Sequence, residues 1–117
     1  MIDWERVRVL HEDLGEEGFA AVVALYFEET DAAFDRLAAA PTAREAEQAF
    51  HFLRSSALNM GFSRLADICA RAERKAAAGG ATGEDAEAAR TAYAAARTEF
   101  LADLGMKIGN GHADPAD

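Results

Sequence analysis

Hydrophobic positions recur along this chain with the spacing of helices. One short and four long stretches carry the pattern. At roughly 100° of rotation per residue, Phe19, Val22, Val23, Tyr26, Thr30, Phe34 and Leu37 share one side of a helix expected from Glu16 to Ala39. Pro41 stops it, because proline disfavours helical geometry in the residue before it. Ahead of it, Asp3 caps a short helix begun by Trp4-Glu5-Arg6-Val7, and Gly15 ends the connection between the two. Thr42-Ala43-Arg44-Glu45 has the capping-box pattern and opens a helix that runs to Met60, where Gly61 supplies a permissive turn. Ser63 is the expected cap of the next helix, whose apolar side is Leu65, Ile68, Cys69 and Ala72 and which closes at Gly79-Gly80. A last long helix spans Glu84 to Leu104, with Ala89, Tyr93, Ala96, Phe100 and Leu101 facing inward.

Four long helices joined by short connections predict an all-α fold. The expected form is an antiparallel up-and-down four-helix bundle, with the short first helix laid across one end and Trp4 covering it. Composition agrees: half of the 117 residues are hydrophobic, many of them alanine, and only two prolines occur. The alternating Val/Ile/Thr runs that strands need are missing. One domain is expected over residues 1–104, followed by a disordered tail over 105–117.

A formal net charge of −9 excludes nucleic acid as an expected partner, since no basic patch is present to neutralise phosphates. It disfavours an anionic membrane surface for the same reason. No apolar stretch approaches a membrane span, and the N-terminus lacks the pattern of a secretory signal. A cytoplasmic chain is expected, with the single Cys69 as a buried apolar residue.

The candidate chemistry sits in the helix that follows Thr42. Ala46, Phe50, Leu53, Ala57 and Met60 form its apolar stripe, and His51 projects about 140° from the start of that stripe. Gln48, Ser55 and Leu58 share its side, with Arg54 at the flank. Imidazole titrates near neutrality, so its free base can attack a phosphorus centre and form a phosphoramidate. Arg54 would offset the charge of a bound phosphoryl group. Gln48 could orient the imidazole, Ser55 is small enough for another protein to come close, and Leu58 offers an apolar docking contact. Helical spacing alone leaves an ordinary surface histidine as the alternative.

The run His51, Leu53, Arg54, Ser55, Ser56, Ala57, Met60 and Gly61 resembles the signature of histidine-containing phosphotransfer domains. Downstream, Leu65, Cys69 and Ala72-Glu73 resemble that family's next helix. The resemblance covers the chain from about Asp3 to Leu104 and implies a phosphorelay carrier. His51 would be the phosphoacceptor, receiving a phosphoryl group from a receiver-domain aspartate and passing it to another. The partners implied are a response regulator receiver domain, a hybrid histidine kinase, or both. Magnesium would belong to the receiver, so no cofactor is expected on this chain. The domain would be a phosphocarrier without its own kinase site, and a monomer. Two positions depart from the signature: Arg54 stands where lysine is usual, and Ser55 where glycine is usual. The second departure motivates an alternative, a non-phosphorylated adaptor that docks a receiver domain through the same face.

Other residues carry less. Gly79-Gly80 and Gly105 fit no nucleotide-binding loop. In the phosphoacceptor helix of a histidine kinase an acid normally follows the histidine, whereas Phe52 follows His51. His11 is expected in a connection and His112 in the tail, and no spacing suggests a metal site.

Overall fold

A computed structural model describes residues 1–39, 41–80 and 82–109. They form four α-helices: α1 (Trp4–Ala38), α2 (Ala43–Met60), α3 (Ser63–Ala77) and α4 (Gly83–Leu104). A π-helical turn, Gly105–Gly109, ends the described chain. Among the described residues, no helix is long and apolar enough to cross a membrane.

The two helices expected before Pro41 are joined without a loop. Gly15 alone departs from helical geometry within α1, with φ 76° and ψ 172°, a conformation open to glycine because it has no Cβ. One residue therefore makes the whole kink, and His11, expected in a connection, is helical. Its Nε2 lies 2.7 Å from Glu16 Oε1 across the kink, and its ring meets Phe19 edge-on at 5.2 Å. Asp3 caps α1 by accepting from the Arg6 amide at 3.2 Å.

α2 begins with a complete capping box. The Glu45 amide donates to Thr42 Oγ1 at 3.1 Å, and the Thr42 amide donates to Glu45 Oε1 at 3.0 Å. It ends at Gly61, whose φ is 89° and whose hypothetical Cβ would stand 2.8 Å from the Asp3 carbonyl oxygen. Both backbone conformation and space demand glycine there. The Asp3 amide donates to the Gly61 carbonyl at 2.7 Å, and Ile2 forms an isolated bridge with Phe62. The N-terminus is thereby tied to the α2–α3 turn. α3 starts at Ser63 itself, with Phe62 in the cap position and no side-chain cap bond. Ser63 was the expected cap, but Phe62 is fully buried, and its burial sets where the turn ends.

Burial of Phe34, Phe50, Phe62, Phe100, Leu53 and Leu65 forms the centre of the core. Each such side chain contributes about 1.5–3 kcal/mol before entropic costs. Phe62 and Phe27, neither named from periodicity, join Tyr26, Tyr93 and Phe100 in one aromatic cluster. Trp4 stacks on Phe100 at 5.6 Å. Along the α1–α4 seam, Arg90 lies over Phe34 at 5.0 Å, and Arg97, two turns on, lies over Phe27 at 4.3 Å. Leu101, expected inward, is 57% exposed, because the 100° step from buried Phe100 turns it to solvent. Over the first five residues of the expected tail, Gly105–Gly109 continues α4 as a π-helical turn, and Ile108 packs on the core. The rest of that tail, with His112, lies outside the described residues.

Candidate functional site

α2 is held at both ends by the caps just described, and its apolar stripe is wholly buried: Ala46, Phe50, Leu53, Ala57 and Met60 are at most 3% exposed. Burial of that stripe fixes the helix's rotation, and the rotation puts His51 outside. Its side chain is 59% exposed.

Two side chains reach the imidazole. Glu73 of α3 places Oε2 2.9 Å from His51 Nδ1 and takes the Arg54 Nε–H on Oε1 at 2.8 Å. Arg54 Nη2 also lies 3.2 Å from Nδ1. One ring nitrogen cannot donate to Glu73 and accept from Arg54 together. The carboxylate is closer, and an unprotonated Nδ1 would set its lone pair against a carboxylate oxygen, so we assign the proton to Nδ1, donating to Glu73. Nε2 then carries the lone pair, and it has no hydrogen-bond partner among the described residues.

Electrostatics supports a charged Glu73. Burial by itself would raise its carboxyl pKa, but hydrogen bonds from Arg54 and His51 outweigh that and hold it below the ordinary glutamate value. The carboxylate is only 19% exposed, so it sits beneath the imidazole and the guanidinium.

The other expected residues divide. Ser55 and Leu58 are exposed on the His51 side, Leu58 by 53%. With Arg6, Phe52, Ser56 and Asn59 they line a shallow depression of about 530 Å³. Arg6, from the first turns of α1, is fixed there by donating to the Asn59 carbonyl at 2.9 Å and to Asn59 Oδ1 at 2.7 Å. Gln48, expected to orient His51, makes no hydrogen bond to it among the described residues. It borders a different depression with Arg36, Pro41 and Glu45. The contact to the imidazole comes instead from Glu73, on the helix expected to follow. A signal for it exists. His51 lies ten residues before Gly61 and Glu73 eleven after Phe62, so a tight turn folds the two to the same level.

Cys69 is fully buried, and burial, with a smaller contribution from the Glu73 charge, pushes its thiol up to about 12. Among the described residues, no group of three or more His, Cys, Asp or Glu side chains could hold a metal ion.

Among the described residues, the all-helical domain displays His51 to solvent, with its ring held from the neighbouring helix by Glu73. The family model of the Hpt domain matches residues 21–99, so the chain belongs to the Hpt domain family, whose members are phosphocarrier modules of His-Asp phosphorelays and not kinases. No curated protein and no solved structure matches it.

Proposed function

We propose that His51 is the phosphoacceptor, carrying a phosphoryl group between receiver-domain aspartates. The observation that carries this reading is the Nδ1 contact with Glu73, 2.9 Å long, on a ring whose other nitrogen is left to solvent. In the transfer, the Nε2 lone pair forms the N–P bond while the P–O bond of the aspartyl phosphate breaks and the carboxylate leaves. The imidazole becomes cationic as the bond forms, and the Glu73 carboxylate already faces the Nδ1 proton that stays. Arg54, held by Glu73 through Nε, keeps Nη2 near the ring to meet the incoming phosphoryl oxygens. Reversal of the same step returns the group to a second aspartate.

We take the bundle as antiparallel and up-and-down, in line with the opposite order of the Arg90–Phe34 and Arg97–Phe27 pairs along α4 and α1. Ser55 and Leu58 would lie under the docked receiver, with any magnesium on the receiver. A monomer in the cytoplasm fits a self-contained core and a single buried thiol.

The test is label transfer from a phosphorylated receiver domain, read as acid-labile radioactivity and by phosphorus NMR. Wild type should take up label as an N-phosphorylated histidine and His51→Gln should not. Equal labelling of the two would remove His51 from the reaction. Receiver binding that is tight, unlabelled and unchanged in His51→Ala would favour the adaptor reading instead.

A further inference from the structure

The net charge of −9 is divided unevenly among the helices. α1 carries nine acidic and three basic side chains, and α4 five acidic and two basic. α2 has two of each. α3 has four basic against two acidic, a positive balance. One of its two acids, Glu73, is turned to His51 and Arg54 and does not offset the outer stripe.

That outer stripe is Arg64, Asp67, Arg71, Arg74 and Lys75, all exposed. Lys75 is held by Asp85 of α4 at 3.1 Å. Among the described residues, neither Arg71 nor Arg74 has a carboxylate within 4.0 Å. Exposed Arg44 is in the same state. It lies seven residues before His51, on the same face of α2. In a chain with 21 acids and 12 bases, the exposed guanidinium groups of Arg44 and Arg74 are left without a carboxylate and are available to another molecule. Arg71, about 160° around α3 from Glu73, points away from His51. Arg74 directly follows the residue that anchors the imidazole.

We propose that a partner with a negatively charged protein surface reaches His51 over the α2–α3 side, guided by Arg44 and Arg74, while acidic α1 and α4 turn it away. This inference rests on His51 being the phosphoacceptor. Range supports it. The molecule measures 21 by 18 Å across its two shorter axes, and the Debye length is about 8 Å at physiological salt. The α3 stripe and the far side of the bundle therefore present separate fields. Charges at the rim of a contact act mainly on the rate of encounter.

The experiment uses the whole chain and a phosphorylated receiver domain that labels wild type, with transfer followed by rapid quench across about 0.05 to 0.5 M NaCl. The Arg44→Glu/Arg74→Glu variant should transfer on the order of tenfold more slowly at low salt, with the gap closing at high salt. Glu28→Lys/Glu29→Lys, on exposed positions of α1, should stay within about twofold of wild type. Both variants should take label from phosphoramidate, a small donor, at the wild-type rate, which shows an intact fold and acceptor. Wild-type transfer by Arg44→Glu/Arg74→Glu overturns the guiding surface and leaves His51 as acceptor. A rate change from the α1 variant as large as that from Arg44→Glu/Arg74→Glu also overturns it, since net charge and not position would then matter. Failure of wild type to take label from phosphoramidate or any receiver overturns the phosphoacceptor reading itself.

Discussion

Replacing Glu73 with glutamine keeps the size of the side chain and removes its charge, and the structure says what that should do. The carboxylate accepts from Arg54 Nε at 2.8 Å and faces His51 Nδ1 at 2.9 Å. Hydrogen bonds to charged groups contribute about 1.5–3 kcal/mol each when well shielded. Here the His51 side chain is 59% exposed and that of Arg54 32%, so water takes up most of the loss. Stability should fall by about 1 kcal/mol. The kinetic effect should be larger. A glutamine amide can turn its NH₂ toward Nδ1 and donate to it, which moves the ring proton to Nε2 and removes the nucleophilic lone pair. The developing imidazolium also loses its counter-charge. Transfer should slow about tenfold to a hundredfold, equivalent to about 1.4–2.7 kcal/mol in the barrier.

Two readouts check this. Rapid-quench kinetics with a phosphorylated receiver gives the rate, and long-range proton–nitrogen NMR on labelled histidine gives the tautomer. Wild type should show the proton on Nδ1 of His51, and Glu73→Gln should show a mixture or the reverse. An unchanged tautomer with transfer within about twofold of wild type would refute the assignment, because such a change is under 0.5 kcal/mol. Acid titrates the same contact. Because the folded Glu73 pKa lies below its ordinary value, its stabilisation is fully present above the ordinary value of about 4.3. It is lost as the pH falls through the lower folded value. The stability gap between wild type and Glu73→Gln, measured by urea denaturation, should therefore be widest near neutrality and shrink in acid.

The remaining predictions concern the frame that holds the site. Gly61→Ala forces a Cβ to 2.8 Å from the Asp3 carbonyl oxygen at φ 89°, so thermal unfolding should show a loss of about 2 kcal/mol or more. An unchanged midpoint would mean that the N-terminus does not pack on that turn. Thr42→Ala removes one half of the capping box and should cost about 1 kcal/mol in urea denaturation. Cys69, fully buried with its thiol pushed up to about 12, should resist Ellman's reagent in the native protein and react at once in denaturant. Fast native labelling would contradict the packing of α3.

Most of the fold was legible because helix signals are local. The Thr42–Glu45 capping box, the Gly61 turn and the α2 apolar stripe each depend on residues within a turn or two of one another. What was misread depends on partners far away in sequence. Phe62 looked like part of a connection, yet Ile2 bridges to its backbone and Tyr26 and Phe100 pack on its ring. Leu101 looked like core until the rotation set by Phe100 placed it outside. Gly15 was read as the end of a loop, since nothing local says that a single residue with φ 76° can make the entire bend.

The site follows the same division. Exposure of His51 and the nearness of Arg54 are properties of one helix and could be read from spacing. The contact to the ring comes from another helix, beyond the reach of spacing within α2, where Gln48 was the expected partner. Arg54 also gains a meaning that its charge alone did not give. It stands where lysine is usual in the signature, and a lysine has one nitrogen to place. The planar fork of arginine can bind Glu73 through Nε while Nη2 stays 3.2 Å from the imidazole. A lysine there would have to leave the carboxylate in order to meet a phosphoryl group, whereas the arginine keeps one contact as it makes the other. The departure from the signature is thus coupled to Glu73: with that anchor removed, lysine at position 54 should serve transfer about as well as arginine does.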